Sequence, residues 1–389
     1  MSESLPRTGP LAGLKVIEMA GIGPCPFAAM VLADLGAEVL RIDRAAPPGL
    51  GIERPEAFDY VLRGRSAVAL DLKTPEAVAA VLDLVAGADA LIEGFRPGVM
   101  ERLGLGPAPC LARNPALVYG RVTGWGQDGP MAPRAGHDLG YLALSGILSM
   151  IGPEGGAPVP PLNLLADYAG GSLMLVIGLL SALTAARAGA GGQVVDAAML
   201  DGLALLGTPM AGLRAAGLHD GPRGTNLLDG GLPEYACYPC RDGGWLAVAA
   251  LEPKFRDLAL AGFGLVPADW PIDRSPTGRA RLRAALGAAI ATRDRDDWAR
   301  LFAGTDACVT PVLSPEEAPH HPQLAARATH APVAGHLQPA PAPRFSATPP
   351  APPAPFRREG PEALARWGLD PDRIERLAGT GALVFPEPV

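Results

Sequence analysis

The chain has 389 residues, 48% of them hydrophobic and 19% charged, with a formal net charge of −7. That apolar content excludes disorder for the bulk of the chain, and roughly 100–200 residues per domain allows two domains or one large α/β unit. The acidic balance excludes a general nucleic-acid binder, which needs a basic excess to neutralise phosphate.

In chain order, Lys15–Met19 reads as a short apolar strand and Pro24–Leu35 as a helix opened by prolines and closed by Gly36. Strands follow at Ala37–Asp43 and Ser66–Leu72, and Thr74-Pro75 cap a helix that runs to Ala86. Asp89–Glu93 and Leu117–Thr123 are further strands. Strands separated by helical runs predict a parallel sheet with helices on its faces. Residues 168–186 carry no charge, close to bilayer-spanning length. Gly170, Gly171, Ser172, Ser181 and Thr184, with no positive cluster on one flank, favour a buried helix over membrane insertion. The texture changes after about residue 200. Gly221–Gly231 is a glycine-rich connector, followed by strand-like Tyr235–Pro239 and Trp245–Leu251 and by helical segments near 254–263, 278–293 and 296–303. That pattern predicts a second, smaller α+β domain over 231–330, reached through a linker at 201–230. Proline dominates 339–355, so 331–355 reads as an extended return linker.

Five widely spaced cysteines, Cys25, Cys110, Cys237, Cys240 and Cys308, suit a reduced, cytoplasmic protein better than a disulfide framework. Neither terminus carries a recognisable targeting signal. Gly21-Ile-Gly-Pro-Cys-Pro follows the first strand, but prolines stand where amides of a dinucleotide loop would cradle a pyrophosphate. Cys237-Tyr-Pro-Cys240 lacks a second pair or a well-spaced His, so no metal site is expected.

Two places look chemical. A glycine-rich loop, Gly124–Pro130, leads to Ala135-Gly-His-Asp138 just ahead of a helical run. Histidine changes charge near neutral pH and is the natural general base, although a lone loop histidine is more often only solvated. Asn163-Leu-Leu-Ala-Asp167 stands at the mouth of the uncharged helix. An Asp there is often an N-cap; partly buried, it would serve as an acid or base beside amides able to stabilise an oxyanion.

Gly9-Pro-Leu-Ala-Gly-Leu-Lys-Val-Ile-Glu18, Leu32-Ala-Asp-Leu-Gly-Ala37 and Glu93-Gly-Phe-Arg-Pro-Gly98 resemble the family III CoA-transferase (CaiB/BaiF-like) superfamily. Ala135-Gly-His-Asp138, Pro161-Leu-Asn-Leu-Leu-Ala-Asp167, Ala250-Leu-Glu-Pro253, Asp306-Ala-Cys-Val-Thr-Pro-Val312 and Ala342-Pro-Arg-Phe-Ser346 resemble its α-methylacyl-CoA racemase branch. The resemblance runs in order along nearly the whole chain. It implies a Rossmann-like large domain, residues 1–200 completed by 335–389, in an interlocked homodimer with the CoA site between subunits. It implies His137 and Asp167 as the two acid/base residues, Glu252 as the partner of the His, and Asn163 as the residue orienting Asp167. Contacts to the CoA moiety carry over to Arg44, Leu70, Gly94, Phe95, Arg96, Pro97, Arg102, Gly136, Asp138, Leu139, Gly140 and Tyr141. For Arg44 and Arg102 there is an independent reason, because guanidinium forks match phosphates; the bland alternative is a surface ion pair.

Inverting a stereocentre next to a thioester carbonyl requires one group on each face of the α-carbon, and the intermediate enolate needs donors at the thioester oxygen. The expected activity is therefore 2-methylacyl-CoA racemisation with no resident cofactor, CoA arriving as part of the substrate. The alternative is a family III CoA-transferase with Asp167 as nucleophile; those enzymes generally lack the His, which makes His137 discriminating. Three departures stand out: Cys25 for a usual glycine, Gly140 for a common Asn, and Glu234 with Ala236 for an aromatic and a polar residue. If the last pair lines the acyl channel, the preferred acyl group differs.

Overall fold

The computed structural model describes residues 8–46, 49 and 51–384. Two compact units share the chain. The first takes residues up to Ser145, Leu162–Leu206 and those from Gln323 on; the second takes Gly146–Pro161 and Gly207–Pro322.

The first unit is built on six parallel strands: β1 (Lys15–Met19), β2 (Glu38–Arg44), β3 (Ser66–Leu70), β4 (Ala90–Glu93), β5 (Val118–Thr123) and β6 (Gln193–Ala198). Their order is β3-β2-β1-β4-β5-β6. In this doubly wound arrangement the winding reverses beside β1, and a crevice opens past the carboxyl ends of the strands. Its helices include α1 (Pro24–Asp34), α2 (Pro75–Val85), α3 (Val99–Arg102), α4 (Pro107–Arg113), α5 (Asp138–Leu144), α6 (Met174–Ala185) and α7 (Met199–Leu206), with Pro361–Arg366 and Pro371–Gly379 late in the chain. β4 and β5 are buried at every residue, so neither alternates apolar and polar positions; their charged residues, Glu93 and Arg121, pair with each other. One sheet face packs Ile17 and Leu91 with Val81 and Leu84 of α2 and with Leu364, Trp367 and Leu377 from late in the chain. The other packs Val16 and Ile92 with Ala28 and Leu32 of α1 and Leu175 and Leu179 of α6. The cap expected for α2 is present: Thr74 Oγ1 accepts the Ala77 N–H at 3.3 Å and Pro75 takes the first helical position. Arg357–Arg358 and Leu383–Val384 complete the sheet by pairing with β3, parallel and antiparallel respectively.

Residues 164–190 form one helix, long and apolar enough by composition to cross a membrane. Its first turns, Leu164–Leu173, are π-helical before α6 begins. Leu175, Val176, Leu179 and Ala182 are packed in the core against β5 and β6.

In the second unit β7 (Tyr235–Pro239), β8 (Trp245–Ala249) and β9 (Val309–Val312) form an antiparallel sheet in that order. α8 (Thr208–Ala215), α9 (Pro253–Gly262), α10 (Pro276–Ile290) and α11 (Arg295–Phe302) accompany it. Its core gathers Tyr238, Leu246, Leu260, Leu286, Trp298 and Phe302.

Three local readings change. β6 was not anticipated: Gln193, Val194 and Asp196 are exposed on this edge strand, so it shows neither a continuous apolar run nor a clean alternation. The stretch 201–230, expected as a linker, lies largely in α7 and α8 up to residue 215, because Gly202 and Leu203 are buried against neighbouring elements. The stretch 331–355 opens with a hairpin, His330–Val333 paired to His336–Pro339, before the irregular residues 340–356. Arg63 fastens that hairpin, donating to the Pro339 carbonyl at 2.7 Å while paired with the buried Asp34.

Candidate active site

The loops after β1, β4 and β5, with the end of β2, bring most of the expected residues to the carboxyl edge of the first unit's sheet. Past Thr123 the chain enters the glycine-rich loop, which is tethered at three points. Gly126 N–H donates to Thr123 Oγ1 at 3.1 Å, Gln127 N–H to Asp196 Oδ2 at 3.2 Å, and Leu200 N–H to Gly124 O at 3.3 Å. The loop ends at His137, the N-cap residue of α5, with extended backbone and an exposed side chain. Tyr141, one turn on, lies so close to the loop that a Cβ at Gly124 would stand 2.0 Å from its ring. Trp125 meets Tyr141 edge-on with ring centres 4.6 Å apart. Burial pushes the Tyr141 phenol up to about 12, so it keeps its proton at neutral pH.

Asp167 lies within the π-helical stretch. Asn163 Nδ2 donates to its Oδ2 at 3.2 Å. Gly23, in the turn between β1 and α1 with φ 70°, presents hydrogen to this carboxylate; a Cβ there would lie 3.8 Å from Oδ2. The buried Ser172 hydroxyl lies 2.8 Å from the Pro24 carbonyl and 2.9 Å from that of Asp167, and Phe27 stacks on Tyr168 at 4.5 Å. Burial is the main influence on the Asp167 carboxyl and raises it above the usual carboxylate range. The Asn163 hydrogen bond opposes this, the neighbouring Asp138 charge adds to it, and His137 opposes it. His137, Asp138, Asn163 and Asp167 thus form one electrostatically connected group.

Asp138 is buried and its Oδ2 accepts the N–H groups of Ala166 at 3.0 Å and Asp167 at 2.9 Å. These are amides that the sequence offered to an enolate oxygen. The structure gives them to a carboxylate instead, because orphan N–H groups at a helix start take the nearest buried acceptor. The N–H groups of Asp138 and Leu139, the first of α5, have no hydrogen-bond partner among the described residues.

The residues expected around CoA are placed as follows. Arg44 closes β2 and lies 5.3 Å over the Phe95 ring. Gly94, Phe95, Arg96 and Pro97 form the loop after β4, held from below by the fully buried Glu93. Its Oε2 accepts the Phe95 N–H at 2.7 Å and its Oε1 meets Arg121 at 2.8 Å, while Arg121 also reaches Glu101 at 2.9 Å. Arg44, Arg96 and Arg102 are exposed and form no ion pair among the described residues. Leu70 is fully buried at the end of β3, in register with Arg44. Gly136 is half-buried beside Tyr141; Leu139 and Gly140 are exposed on α5. Glu252 belongs to the second unit, exposed at the start of α9. In the same unit Glu234 is buried and accepts Arg256 at 2.8 Å, so its side chain is turned toward α9.

Sequence reasoning missed Gly23, Ser172 and the Glu93–Arg121 pair as parts of this edge. Glu93 gave a signal, a lone acid ending an otherwise apolar strand. Ser172, inside an uncharged run, gave none. Among the described residues no three His, Cys, Asp or Glu side chains group as metal ligands.

Residues 11–373 match the family described as CoA-transferase family III. The chain is 44% identical over 374 residues to the α-methylacyl-CoA racemase of Mus musculus, covering 94% of this chain and 96% of that protein. It is also 44% identical over 311 residues to the α-methylacyl-CoA racemase of Homo sapiens, 80% of each. Among solved structures, a CaiB/BaiF family protein from Brucella suis superposes with a TM-score of 0.77 at 27% identity, over 93% of this chain and 100% of that one.

Proposed function

The chain belongs to CoA-transferase family III, and from that membership we propose that it inverts the α-carbon of 2-methylacyl-CoA thioesters. The reaction is a two-base proton transfer through an enolate, with His137 on one face of the α-carbon and Asp167 on the other. The observation that carries this reading is the pairing itself. An imidazole and a carboxylate, thirty residues apart in the chain, stand at adjoining helix starts within one electrostatic group, and burial gives the carboxylate an elevated proton affinity. A base for an α-proton works best when its own affinity approaches the working pH. The similarity to two racemases over most of the chain supports the same reaction.

In one direction His137 removes the α-proton and Asp167 returns one to the opposite face; in the reverse direction they exchange roles. The enolate oxygen is assigned to the unpartnered N–H groups of Asp138 and Leu139, which lie beside His137 and leave the Asp167 helix start undisturbed. Arg44, Arg96 and Arg102, which pair with no carboxylate among the described residues, are assigned to the CoA phosphates, and Arg44 over Phe95 to the adenine end. Asn163 orients Asp167 through the hydrogen bond described, and Glu252 is assigned to the imidazole. Proton transfer needs no electron sink, so the reading includes no resident cofactor.

We further propose a homodimer, supported by large apolar side chains exposed on mutually packed elements: Leu144 at 60%, Leu164 at 53%, Ile177 at 55% and Leu205 at 61%. Five free cysteines support a reducing, cytoplasmic setting, and the helix 164–190 is read as a core helix rather than a membrane span.

The experiment incubates one epimer of a 2-methylacyl-CoA in D₂O and follows α-deuterium and stereochemistry together. Deuterium entry with loss of optical purity is expected, falling by roughly 10²–10⁴-fold in His137→Ala and in Asp167→Ala. Transfer of CoA to an added carboxylate without exchange, dependent on Asp167 but not His137, would identify a CoA-transferase instead.

A further inference from the structure

We infer that the Asp138 side chain is a positioning residue for the second base: it fastens the start of the Asp167 helix to the residue that follows His137. One buried group then sets the spacing between the two proton-transfer side chains. The roles of His137 and Asp167 rest on the reading above; the placement of Asp138 does not.

The resemblance implies that Asp138 touches CoA. Its side chain is only 7% exposed, and both oxygens are turned inward: Oδ2 holds the Ala166 and Asp167 amides, and Oδ1 is buried without a partner among the described residues. A carboxylate facing the phosphates of CoA would repel them, whereas one facing two orphan amides is stabilised by both. The need for it is local. The stretch Leu164–Leu173 is π-helical, and its longer hydrogen-bond step leaves one more amide without an internal partner than an α-helix does. Asp138 satisfies two of these, and one is the amide of Asp167 itself. Because Asp138 follows His137 directly, a shift of either helix start is felt at both bases.

The charge matters as well as the hydrogen bonds. The groups facing the Asp167 carboxylate are His137, Asp138 and Tyr141 from the α5 side, Asn163 from its own segment, and main chain at Gly23 from the turn into α1. On α7 the acidic residue, Asp201, is exposed. Among the described residues Asp138 is the carboxylate whose charge bears on Asp167, and it favours the protonated form.

The test compares α-hydrogen exchange of a 2-methylacyl-CoA by the wild-type chain, Asp138→Ala and Asp138→Asn, with Asp167→Asn as reference. Asp138→Ala is expected to lower kcat roughly 10²-fold while KM stays within about threefold. Asp138→Asn keeps an acceptor oxygen but no charge. It is expected to restore most of kcat and to move the limb of the pH–rate profile set by Asp167 to lower pH. A raised KM at unchanged kcat in both variants would make Asp138 a CoA contact and overturn the inference; wild-type kcat and KM in Asp138→Ala would also overturn it. Hydrogen exchange of the wild-type backbone supplies a readout that needs no variant to fold. Slow exchange at the Ala166 and Asp167 amides is expected, and fast exchange there overturns the inference. Should Asp167→Asn keep full activity, the base assignment fails on its own, and amide protection still decides whether Asp138 holds the helix start.

Discussion

Asp167 is the residue at which opposing local forces can be separated by single substitutions. Burial raises its proton affinity and the Asn163 amide, by favouring the ionised form, lowers it. Asn163→Ala removes the opposing influence, so the Asp167 pKa rises further. In the direction where Asp167 removes the proton, its ionised form is required and the acidic limb of kcat/KM moves to higher pH. In the reverse direction the protonated form is required and the alkaline limb moves the same way. Measuring both directions checks the sign twice; limbs that stay in place would detach Asn163 from the reaction. His137 and Asp167 stood out in the sequence as polar residues beside glycines and an uncharged run, but their roles as bases came only from the family resemblance. The Asp138 tie was not legible, since it joins residues 28 and 29 positions apart through main-chain amides that leave no trace in side-chain pattern.

At the scale of elements, the π-helical turns and α7 approach each other without side chains between them. A Cβ at Gly202 would stand 2.0 Å from the Gly170 carbonyl oxygen, and one at Gly170 would stand 3.2 Å from the Met199 carbonyl oxygen and the Leu203 nitrogen. Main chain cannot give way as a flexible side chain does, so Gly202→Ala must push α7 from the segment that carries Asp167. We expect a loss of about 1–3 kcal/mol in denaturant unfolding, typical of overpacking, together with reduced exchange activity. Wild-type stability in that variant would show that the two segments separate freely. The uncharged run 168–186 marked a buried helix but not its π-helical opening, because in a run of Leu, Ala and Gly every register buries apolar atoms equally well. The parallel strands other than β6 were legible for the opposite reason: turn residues punctuate them, and short buried apolar stretches such as Val16–Met19, Val39–Leu40 and Ala67–Leu70 mark them.

For the whole molecule, the exposed apolar side chains give a direct prediction. The chain is expected to sediment as a dimer, and Leu144→Glu with Ile177→Glu to yield a folded monomer; a monomeric wild type would sink the dimer proposal. The α/β class was readable in outline from strands alternating with helices. The boundaries at 201–230 and 331–355 were less so, because turn-rich composition hid two short helices and a hairpin. The chain passes between its units four times, and among the described residues the strands that pair with β3 on the side away from β2 come from residues 357–384. A ribosome reading this message therefore finishes the second unit before the first can close its sheet. Until translation reaches those residues, β3 presents an open strand edge to neighbouring nascent chains, which makes the final stage of synthesis the period when a chaperone is most needed.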